Sequence, residues 1–478
     1  MSFDIGNTII QLSYFASAVL FILGLRAMSS PTTARKGMLW AGIGMGMAVL
    51  ATFIPNESTY LSNGELPKNF TVNMGLIFLA IAIGGAFSYR KAKTVQMTDM
   101  PQLVAMLNGL GGCAAACVAA IAIMQQHAHS EITQAMAAFG AFIGGLAFTG
   151  SLVAWAKLDG RVKSSWQYPW IQPLNALIFL ATIAAGVYMC INFQVWDMQM
   201  QVVVGVFFAL AMLLGITVAM PIGGADMPVM ISLFNALTGV AMAFDGVVLN
   251  NAAMIVAGVV VGSAGTMLTM MMAGAMNRKV LAIIFKKFGA TGGAAEGGEV
   301  SGSMKETDGN DAAITMAYAN RVVIVPGYGM AVAQAQHKVW ELAALLQERD
   351  VDVKFAIHPV AGRMPGHMNV LLAEAGVPYD LIVDMDDINP EFPNTDVVIV
   401  IGANDVVNPI AKTNPDSPIY GMPILEAENA KNCIVIKRGK GTGFSGVENH
   451  LFYADNTRML YGDAQKAIGE IIAGVKML

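Results

Sequence analysis

The chain has 478 residues, of which 55% are hydrophobic and only 13% are charged, and its net charge at pH 7 is −5. Soluble domains usually carry roughly 25% charged residues, so this deficit, together with a mean hydropathy of +0.57, indicates a membrane protein. The small net charge argues against a nucleic-acid partner, and the cysteines and histidines form neither a disulfide framework nor a metal motif.

Long apolar runs alternate with short polar loops up to about Met276. A helix needs roughly 20 apolar residues to cross the hydrocarbon core of a bilayer, so the sequence predicts about nine transmembrane helices. The predicted spans are residues 5–27, 38–54, 72–89, 102–124, 135–155, 171–191, 202–219, 228–249 and 252–275. The first run lacks a basic leader, so we expect a membrane span there and no cleavable signal peptide.

Basic residues in the loops predict the orientation of these spans. Arg35, Arg90, Lys163 and Arg278 and their basic neighbours follow the first, third, fifth and ninth spans. Because positively charged loops stay in the cytoplasm, we expect the amino terminus outside and everything after Arg278 in the cytoplasm. This arrangement requires an odd number of spans.

The remainder of the chain changes character. Residues 288–311 are rich in Gly, Ala and Ser and predict a flexible linker, so we divide the chain into a membrane domain (1–276), a linker (277–311) and a soluble domain (312–478). In the soluble part, short β-branched runs predict buried parallel strands at residues 321–325, 353–357, 381–383, 397–401 and 433–436, and a helix is expected at residues 334–348. This alternation predicts a doubly wound, Rossmann-like α/β domain.

The first predicted strand runs into a glycine turn that precedes a helix. Gly327 and Gly329 allow a tight turn and close approach to a pyrophosphate, and Ala333 stands where the Rossmann fingerprint accepts Gly or Ala. An NAD site would carry an acid after the second strand, but here His358 and then Arg363 follow that strand. Lys437 and Arg438 come directly after a later strand, and such cations suit a phosphate monoester. The pattern therefore favours NADP(H) over NAD(H); the alternatives are an ordinary strand–helix turn and a solvated strand end.

Several longer motifs carry a family resemblance. GYGMAVAQAQ (327–336), HPVAGRMPGHMN (358–369), GANDVVN (402–408) and SPIYGMPIL (417–425), with IGGADMPV (222–229) and GSAG (262–265) in the membrane half, resemble the beta subunit of proton-translocating NAD(P) transhydrogenase. The resemblance covers essentially the whole chain. It implies a membrane enzyme that couples reversible hydride transfer between NADH and NADP⁺ to proton translocation.

The glycine turn and this resemblance together predict the cofactor site. Lys437 and Arg438 would pair with the 2′-phosphate, Arg363 would lie near the pyrophosphate, and Asp405 is the expected coupling carboxylate, with a helix cap as its structural alternative. The full set is Gly327, Tyr328, Gly329, Val332, Ala333, Val360, Ala361, Gly362, Arg363, Met364, Pro365, Gly402, Ala403, Asn404, Asp405, Val406, Gly421, Met422, Lys437, Arg438, Gly439, Lys440, Gly441, Thr442, Gly443, Phe444, Asp463 and Ala464. Gly439 and Phe444 depart from relatives that have Ser and Tyr there.

Polar residues inside the predicted spans are candidates for a proton route, because such residues are expensive in a membrane. By resemblance Asn235 belongs to that route and Asp226 lies at its cytoplasmic end. Asn108 stands where some relatives have His, and because an amide cannot titrate, Asp245 or a group of the partner subunit would have to serve. For Asn108 and Asn235 the alternative is interhelical hydrogen bonding.

A single dinucleotide domain is expected in the chain, so the NAD(H) site must lie on a partner, the alpha subunit. The resemblance also implies a homodimer of alpha–beta units in the bacterial inner membrane. A nucleotide-regulated channel or transporter with a cytoplasmic Rossmann-like domain is the alternative function.

Overall fold

A computed structural model describes residues 5–54, 69–124, 131–162, 166, 168–192, 196–223, 226–285, 303–364, 366–415, 417, 419–439, 441, 443 and 445–478. Nine long helices come first in this part of the chain. They are α1 (Ile5–Met28), α2 (Pro31–Ala51), α3 (Phe70–Thr94), α4 (Met100–Met124), α5 (Glu131–Leu158), α6 (Ile171–Ile191), α7 (Met198–Ala219), α8 (Met227–Val248) and α9 (Ala252–Ala275).

Eight of these helices are long and apolar enough to cross a membrane, which confirms the predicted polytopic membrane region. The exception is α2, which is less hydrophobic than the other eight helices. Its first turns carry Arg35 and Lys36. The predicted odd number of spans therefore stays a prediction.

Glycines let neighbouring membrane helices approach backbone to backbone. A Cβ added to Gly144 on α5 would lie 2.8 Å from the Gly112 carbonyl oxygen on α4, and one added to Gly239 on α8 would lie 2.5 Å from the Gly262 nitrogen on α9. Small residues at such contacts compensate for the weak hydrophobic drive between helices in lipid. These four glycines thus serve helix packing.

The later part of the chain builds one parallel sheet with helices between its strands. The helices are α10 (Val280–Ile284), α11 (Gly309–Ala317), α12 (Tyr328–Val332), α13 (Gln336–Gln347), α14 (His367–Glu374), α15 (Met385–Ile388), α16 (Ile410–Thr413) and α17 (Ala464–Met477). The strands are β1 (Arg321–Pro326), β2 (Asp352–Ile357), β3 (Ile382–Asp384), β4 (Val397–Ile401), β5 (Asn432–Lys437) and β6 (Thr457–Tyr461).

The strand order is β3-β2-β1-β4-β5-β6, and every neighbouring pair of these strands is parallel. Every residue of β4 is buried, and so are the last five of β1, as expected of strands covered on both faces. This is the order of a Rossmann fold, in which the connections reverse direction between β1 and β4. The predicted doubly wound domain is confirmed.

One strand escaped sequence analysis. β6 reads TRMLY, which contains no run of β-branched apolar residues, and its Arg458 is exposed. The predicted strand at 381–383 is shifted by one residue, because Leu381 closes a short 3-10 turn.

The chain just before α11 binds the edge of the sheet. Met459 on β6 donates its backbone N–H to the Lys305 carbonyl at 2.7 Å, and Thr307 donates to the Met459 carbonyl at 3.0 Å. The Lys305 ammonium also pairs with Asp455 at 2.8 Å. Residues 305–307 of the predicted linker therefore belong with the sheet, whereas residues 286–302 lie outside the described part.

Candidate functional site

Two glycine turns pack against each other at the carboxyl ends of β1 and β4. Gly327 donates its N–H to the Ile401 carbonyl and Gly329 donates to the Gly402 carbonyl, both at 2.9 Å. Gly402 has φ +67°, and a Cβ there would lie 2.3 Å from the Gly329 Cα. These glycines thus allow the two loops to approach each other closely. The N–H groups of Gly327 and Gly329, which were expected to face a phosphate, already donate hydrogen bonds to the backbone at the end of β4.

A short helix that was not predicted precedes the expected helix at residues 334–348. α12 has five residues, the chain then turns through Gln334 with φ +51°, and the longer α13 begins at Gln336. Ala333 consequently ends α12 and does not lie within a helix.

A cleft of about 350 Å³ opens at this edge of the sheet, beside the turns after β1, β4 and β5. Its lining brings together four groups of predicted residues that are far apart in sequence. The lining residues are Gly329, Ala333, Gly402, Ala403, Asn404, Ile436, Lys437, Arg438, Gly439, Gly441, Gly462 and Ala464. The cleft lies where the strand order reverses, the place where ligands bind in open α/β sheets.

Two lining residues, Ile436 and Gly462, were not among the predicted ones. Gly462 follows β6 and has φ +156°, and Asp463 then caps α17 by accepting the Gln465 N–H at 3.0 Å. A strand–glycine–helix pattern was present there, but β6 itself had not been recognised.

The two cations after β5 differ in their surroundings. Lys437 is half-buried: its Nζ lies 4.5 Å from the centre of the Phe452 ring and donates to the Gly441 carbonyl. Burial lowers its pKa, while Asp405 and Glu448 oppose that shift. Arg438 is exposed at the mouth of the cleft. Lys437 therefore orders the glycine-rich loop, and Arg438 remains the more accessible cation.

Asp405 fastens the same loop from the β4 side. Its carboxylate accepts the Ser445 N–H at 2.9 Å and the Ser445 hydroxyl at 2.7 Å. The neighbouring Asn404 accepts from the Asn449 side chain through its backbone and side-chain oxygens, at 2.9 and 3.0 Å. A Cβ on Gly443 would lie 2.6 Å from both the Asn404 amide and the Asp405 carboxylate. Asp405 thus links the turn after β4 to the loop after β5, a contact that differs from the helix cap considered as its structural alternative.

A second polar group lies in the loop after β2. The Arg363 guanidinium stacks 4.5 Å from the centre of the Tyr328 ring, and the Arg363 N–H donates to His367 Nδ1 at 3.1 Å. Gly362 has φ +107°, and a Cβ there would lie 2.4 Å from that same nitrogen. The structure therefore places the predicted Arg363 and Tyr328 together.

Two buried histidines hold this loop, and neither was a predicted site residue. His358 donates from Nε2 to the Pro423 carbonyl at 2.7 Å and accepts the Val360 N–H on Nδ1 at 3.2 Å. Burial lowers the pKa of His358, opposed by the Pro423 carbonyl; burial and then the Arg363 charge lower the pKa of His367. Both rings are held neutral, because each must accept a hydrogen bond on Nδ1. The sequence HPVAGRMPGH (358–367) could have indicated these two histidines, because they stand at the two ends of the run that contains the predicted site residues.

The remaining cofactor candidates scatter more widely. Gly421 has φ +75° beside Tyr420, whose carbonyl accepts from the Asn277 amide at 3.2 Å, and Met422 is buried with Ile419 in a small apolar cluster. Ala361 is buried and Val332 is exposed. Pro365, Lys440, Thr442 and Phe444 lie outside the described residues.

The predicted proton-route residues have contrasting partners. Asn108 on α4 is buried and donates to the Ser151 hydroxyl on α5 at 3.1 Å, which is the interhelical bond of the structural alternative. Asp226, just before α8, accepts both bonds of an ion pair with Arg278 at 2.9 and 3.0 Å. Asn235 is half-buried on α8. Asp245 is 1% exposed, and neither of its carboxyl oxygens has a hydrogen-bond partner among the described residues.

A set of membrane-length helices and a Rossmann-type sheet with a glycine-lined cleft define a class: membrane proteins that carry a dinucleotide-binding domain. The family described as NAD(P) transhydrogenase beta subunit matches residues 10–474. The NAD(P) transhydrogenase subunit beta of Rhodospirillum rubrum is 43% identical over 483 residues, covering 98% of this chain and 99% of the relative, and the same values hold for the protein of a named strain of that species. The chain belongs to the NAD(P) transhydrogenase beta subunit family. It is therefore a component of an oxidoreductase and not a nucleotide-regulated channel.

Proposed function

We propose that this chain binds NADP(H), and not NAD(H), in the cleft at the ends of β1, β4 and β5. The observation that carries the proposal is the pair Lys437 and Arg438 on the cleft, combined with a strand β2 that is followed by His358 and not by an acid. A guanidinium binds a phosphate with paired hydrogen bonds, and an acidic residue at that strand end would repel one. The close-packed glycines at 327, 329 and 402 keep side chains out of the cleft floor.

The bound dinucleotide supplies the hydride chemistry, and the residues of this chain bind and orient it. Arg363, stacked on Tyr328, presents its charge beside the cleft, and Asp405 holds the glycine-rich loop in place. Hydride transfer between two nucleotides needs a second site close by. The described part of the chain forms one dinucleotide-type sheet, so we assign the NAD(H) site to an alpha-subunit partner, within a dimer of alpha–beta units.

The membrane helices supply the second half of the activity, proton translocation coupled to the redox reaction. The candidates for the proton route are Asp226, Asn235, Asn108 and Asp245. We place the protein in a bacterial inner membrane with the soluble domain in the cytoplasm, because Arg90, Lys157 and Arg278 and their basic neighbours mark the cytoplasmic loops. Proton binding shifts the nucleotide cleft between open and occluded states.

A reconstitution tests this function. Vesicles containing the chain with an NAD(H)-binding alpha subunit should reduce an NADP⁺ analogue at the expense of NADH and should acidify or alkalinise their lumen in step. Vesicles with either subunit alone serve as the control and should do neither. Hydride transfer that proceeds equally with the alpha subunit alone would contradict the proposal.

A further inference from the structure

Asp245 is the one carboxylate in the interior of the nine long helices. The only other acid within their bounds is Glu131, which is the first residue of α5. Asp245 is 1% exposed, and neither of its oxygens has a hydrogen-bond partner among the described residues. A buried, unpaired carboxylate is costly in a membrane, so a residue of this kind marks a function more often than a packing role.

Gly140 on α5 provides the space that Asp245 occupies. A Cβ added to Gly140 would lie 2.6 Å from Asp245 Oδ1. On the other side of α8, Gly246 packs against α9, where an added Cβ would lie 2.7 Å from the Ile255 nitrogen. The carboxyl group is thus enclosed between helices in close contact, with a glycine facing it.

The surrounding helices offer Asp245 no compensating charge. α7 and α9 contain no titratable residue, α5 contains only Glu131 and Lys157 at its two ends, and α4, whose Gly111 contacts Thr238 of α8, contains only Cys113 and Cys117. No histidine lies in any of the nine helices. Asn108, the buried amide, cannot take up a proton and is committed to Ser151.

Asp245 also lies near the end of its helix. It is in the last turn of α8, and Leu249 and Asn250 in the following turn are exposed. Asp226 precedes the first residue of the same helix, about 28 Å away along an ideal helix axis. One carboxylate thus stands near each end of α8: Asp226 is paired with Arg278, whereas Asp245 has no partner in the part of the chain that the structure describes.

We propose that Asp245 is the proton-binding group of the membrane domain, and that Gly140 is the residue that makes room for it. The carboxylate takes up one proton from the water at the turn between α8 and α9 and becomes a neutral carboxylic acid. It gives the proton up again when the contact between α5 and α8 loosens. This assignment rests on the proposed coupling of nucleotide chemistry to proton movement, and it replaces the amide at 108 as the carrier.

Infrared difference spectroscopy tests the proton uptake without any enzymatic turnover. The full chain in lipid vesicles should show a carbonyl band of a protonated carboxyl that titrates as the pH is raised, and Asp245→Asn should remove that band. Glu131→Gln serves as the control, because Glu131 is exposed at the first residue of α5, and it should leave the band in place. A band that persists in Asp245→Asn, or a wild-type spectrum without a titrating buried carboxyl, would overturn the proposal.

A second experiment measures transport in vesicles that also contain the alpha subunit. Asp245→Asn should bring the number of protons moved per hydride transferred close to zero, because an amide cannot take up and release a proton as a carboxyl group does. Gly140→Ala should lower that ratio too, because the added methyl group displaces the carboxyl. The matched control is Gly205→Ala on α7, whose added Cβ has no atom within 4 Å, and it should leave the ratio unchanged.

The outcomes separate this inference from the proposed function. Unchanged coupling in Asp245→Asn would refute the assignment while leaving the transhydrogenase function intact. Wild-type vesicles that neither transfer hydride nor move protons would refute the function itself, and the infrared result would still report whether Asp245 titrates.

Discussion

Lys431 and Lys437 stand just before and at the end of the same strand, β5, and illustrate how position decides the role of a residue. Lys431 is exposed and pairs with Asp396 at 2.8 Å, at the edge of the sheet opposite the cleft. That bond is the largest cause that lowers the pKa of Asp396 to about 2. Lys437, at the carboxyl end of β5, lines the cleft together with Arg438.

Replacing both cleft cations should change the nucleotide preference. Lys437→Ala combined with Arg438→Ala should weaken NADP(H) binding by at least about tenfold, since hydrogen bonds to charged groups contribute about 1.5–3 kcal/mol each. Binding of NAD(H), which lacks the 2′-phosphate, should change little. Titration calorimetry with both nucleotides measures the difference, and Lys431→Ala is the control. Equal losses for both nucleotides would contradict phosphate recognition by this pair.

Gly402 is the residue whose replacement should disturb the cleft floor most. Gly402→Ala combines an unfavourable φ with a contact of 2.3 Å to Gly329, so it should cost about 1–3 kcal/mol in overpacking in addition to the backbone strain. Gly376→Ala is a matched control, because Gly376 also has positive φ but an added Cβ there meets no atom within 4 Å. Gly376→Ala should show the backbone strain alone, so the melting temperature should fall further in Gly402→Ala and NADP(H) binding should weaken only there. Equal effects of the two substitutions would show that φ alone matters.

At the scale of elements, the loop after β2 depends on two neutral histidines. An unfolded histidine has a pKa of about 6.5, and burial lowers the pKa of both His358 and His367 in the folded state. As the pH falls below about 6.5, the unfolded chain takes up protons that the folded chain does not. The stabilisation is therefore complete above that pH and declines below it, until the folded-state pKa values are passed.

Hydrogen exchange in the full-length chain measures this effect. Protection of the β2 amides, corrected for intrinsic exchange, should fall as the pH is lowered from about 7.5 to about 5.5. His367→Asn should make the dependence shallower, because one of the two groups is gone. His337→Asn, at an exposed position on α13, should leave it unchanged. If His367→Asn does not change how the protection of the β2 amides depends on pH, groups other than His367 cause that dependence.

The elements also show where sequence patterns succeed and fail. The apolar runs predicted the long helices and five strands, because burial on both faces of a sheet or in lipid leaves few polar residues. β6 was missed because an edge strand with an exposed Arg458 has no such run. The short helix α12 was missed because its separation from α13 depends on a positive φ at Gln334, a residue type that does not signal such a turn.

At the scale of the whole molecule, coupling has to be reciprocal. If proton binding in the membrane changes the affinity for NADP(H), bound NADP(H) must change the affinity for the proton by the same factor. A pH difference across vesicles that contain the assembled enzyme should therefore shift the NADP(H) dissociation constant by about fivefold or more. A protonophore should abolish the shift. A dissociation constant that is the same with and without the gradient would separate the two activities.

The sequence by itself determined the class of each half and the residue types available to the site. Hydropathy sets what enters lipid, and the glycines and cations after short apolar strands define a phosphate-binding chemistry, since both signals are local. Only the tertiary structure decided which of these residues work together. Three examples depend on contacts between distant segments. The Gly327 and Gly329 amides bind the end of β4, Asp405 binds Ser445, and Asp245 lies buried beside Gly140. Such contacts follow from how helices and strands pack in three dimensions, and no local pattern of residues specifies them.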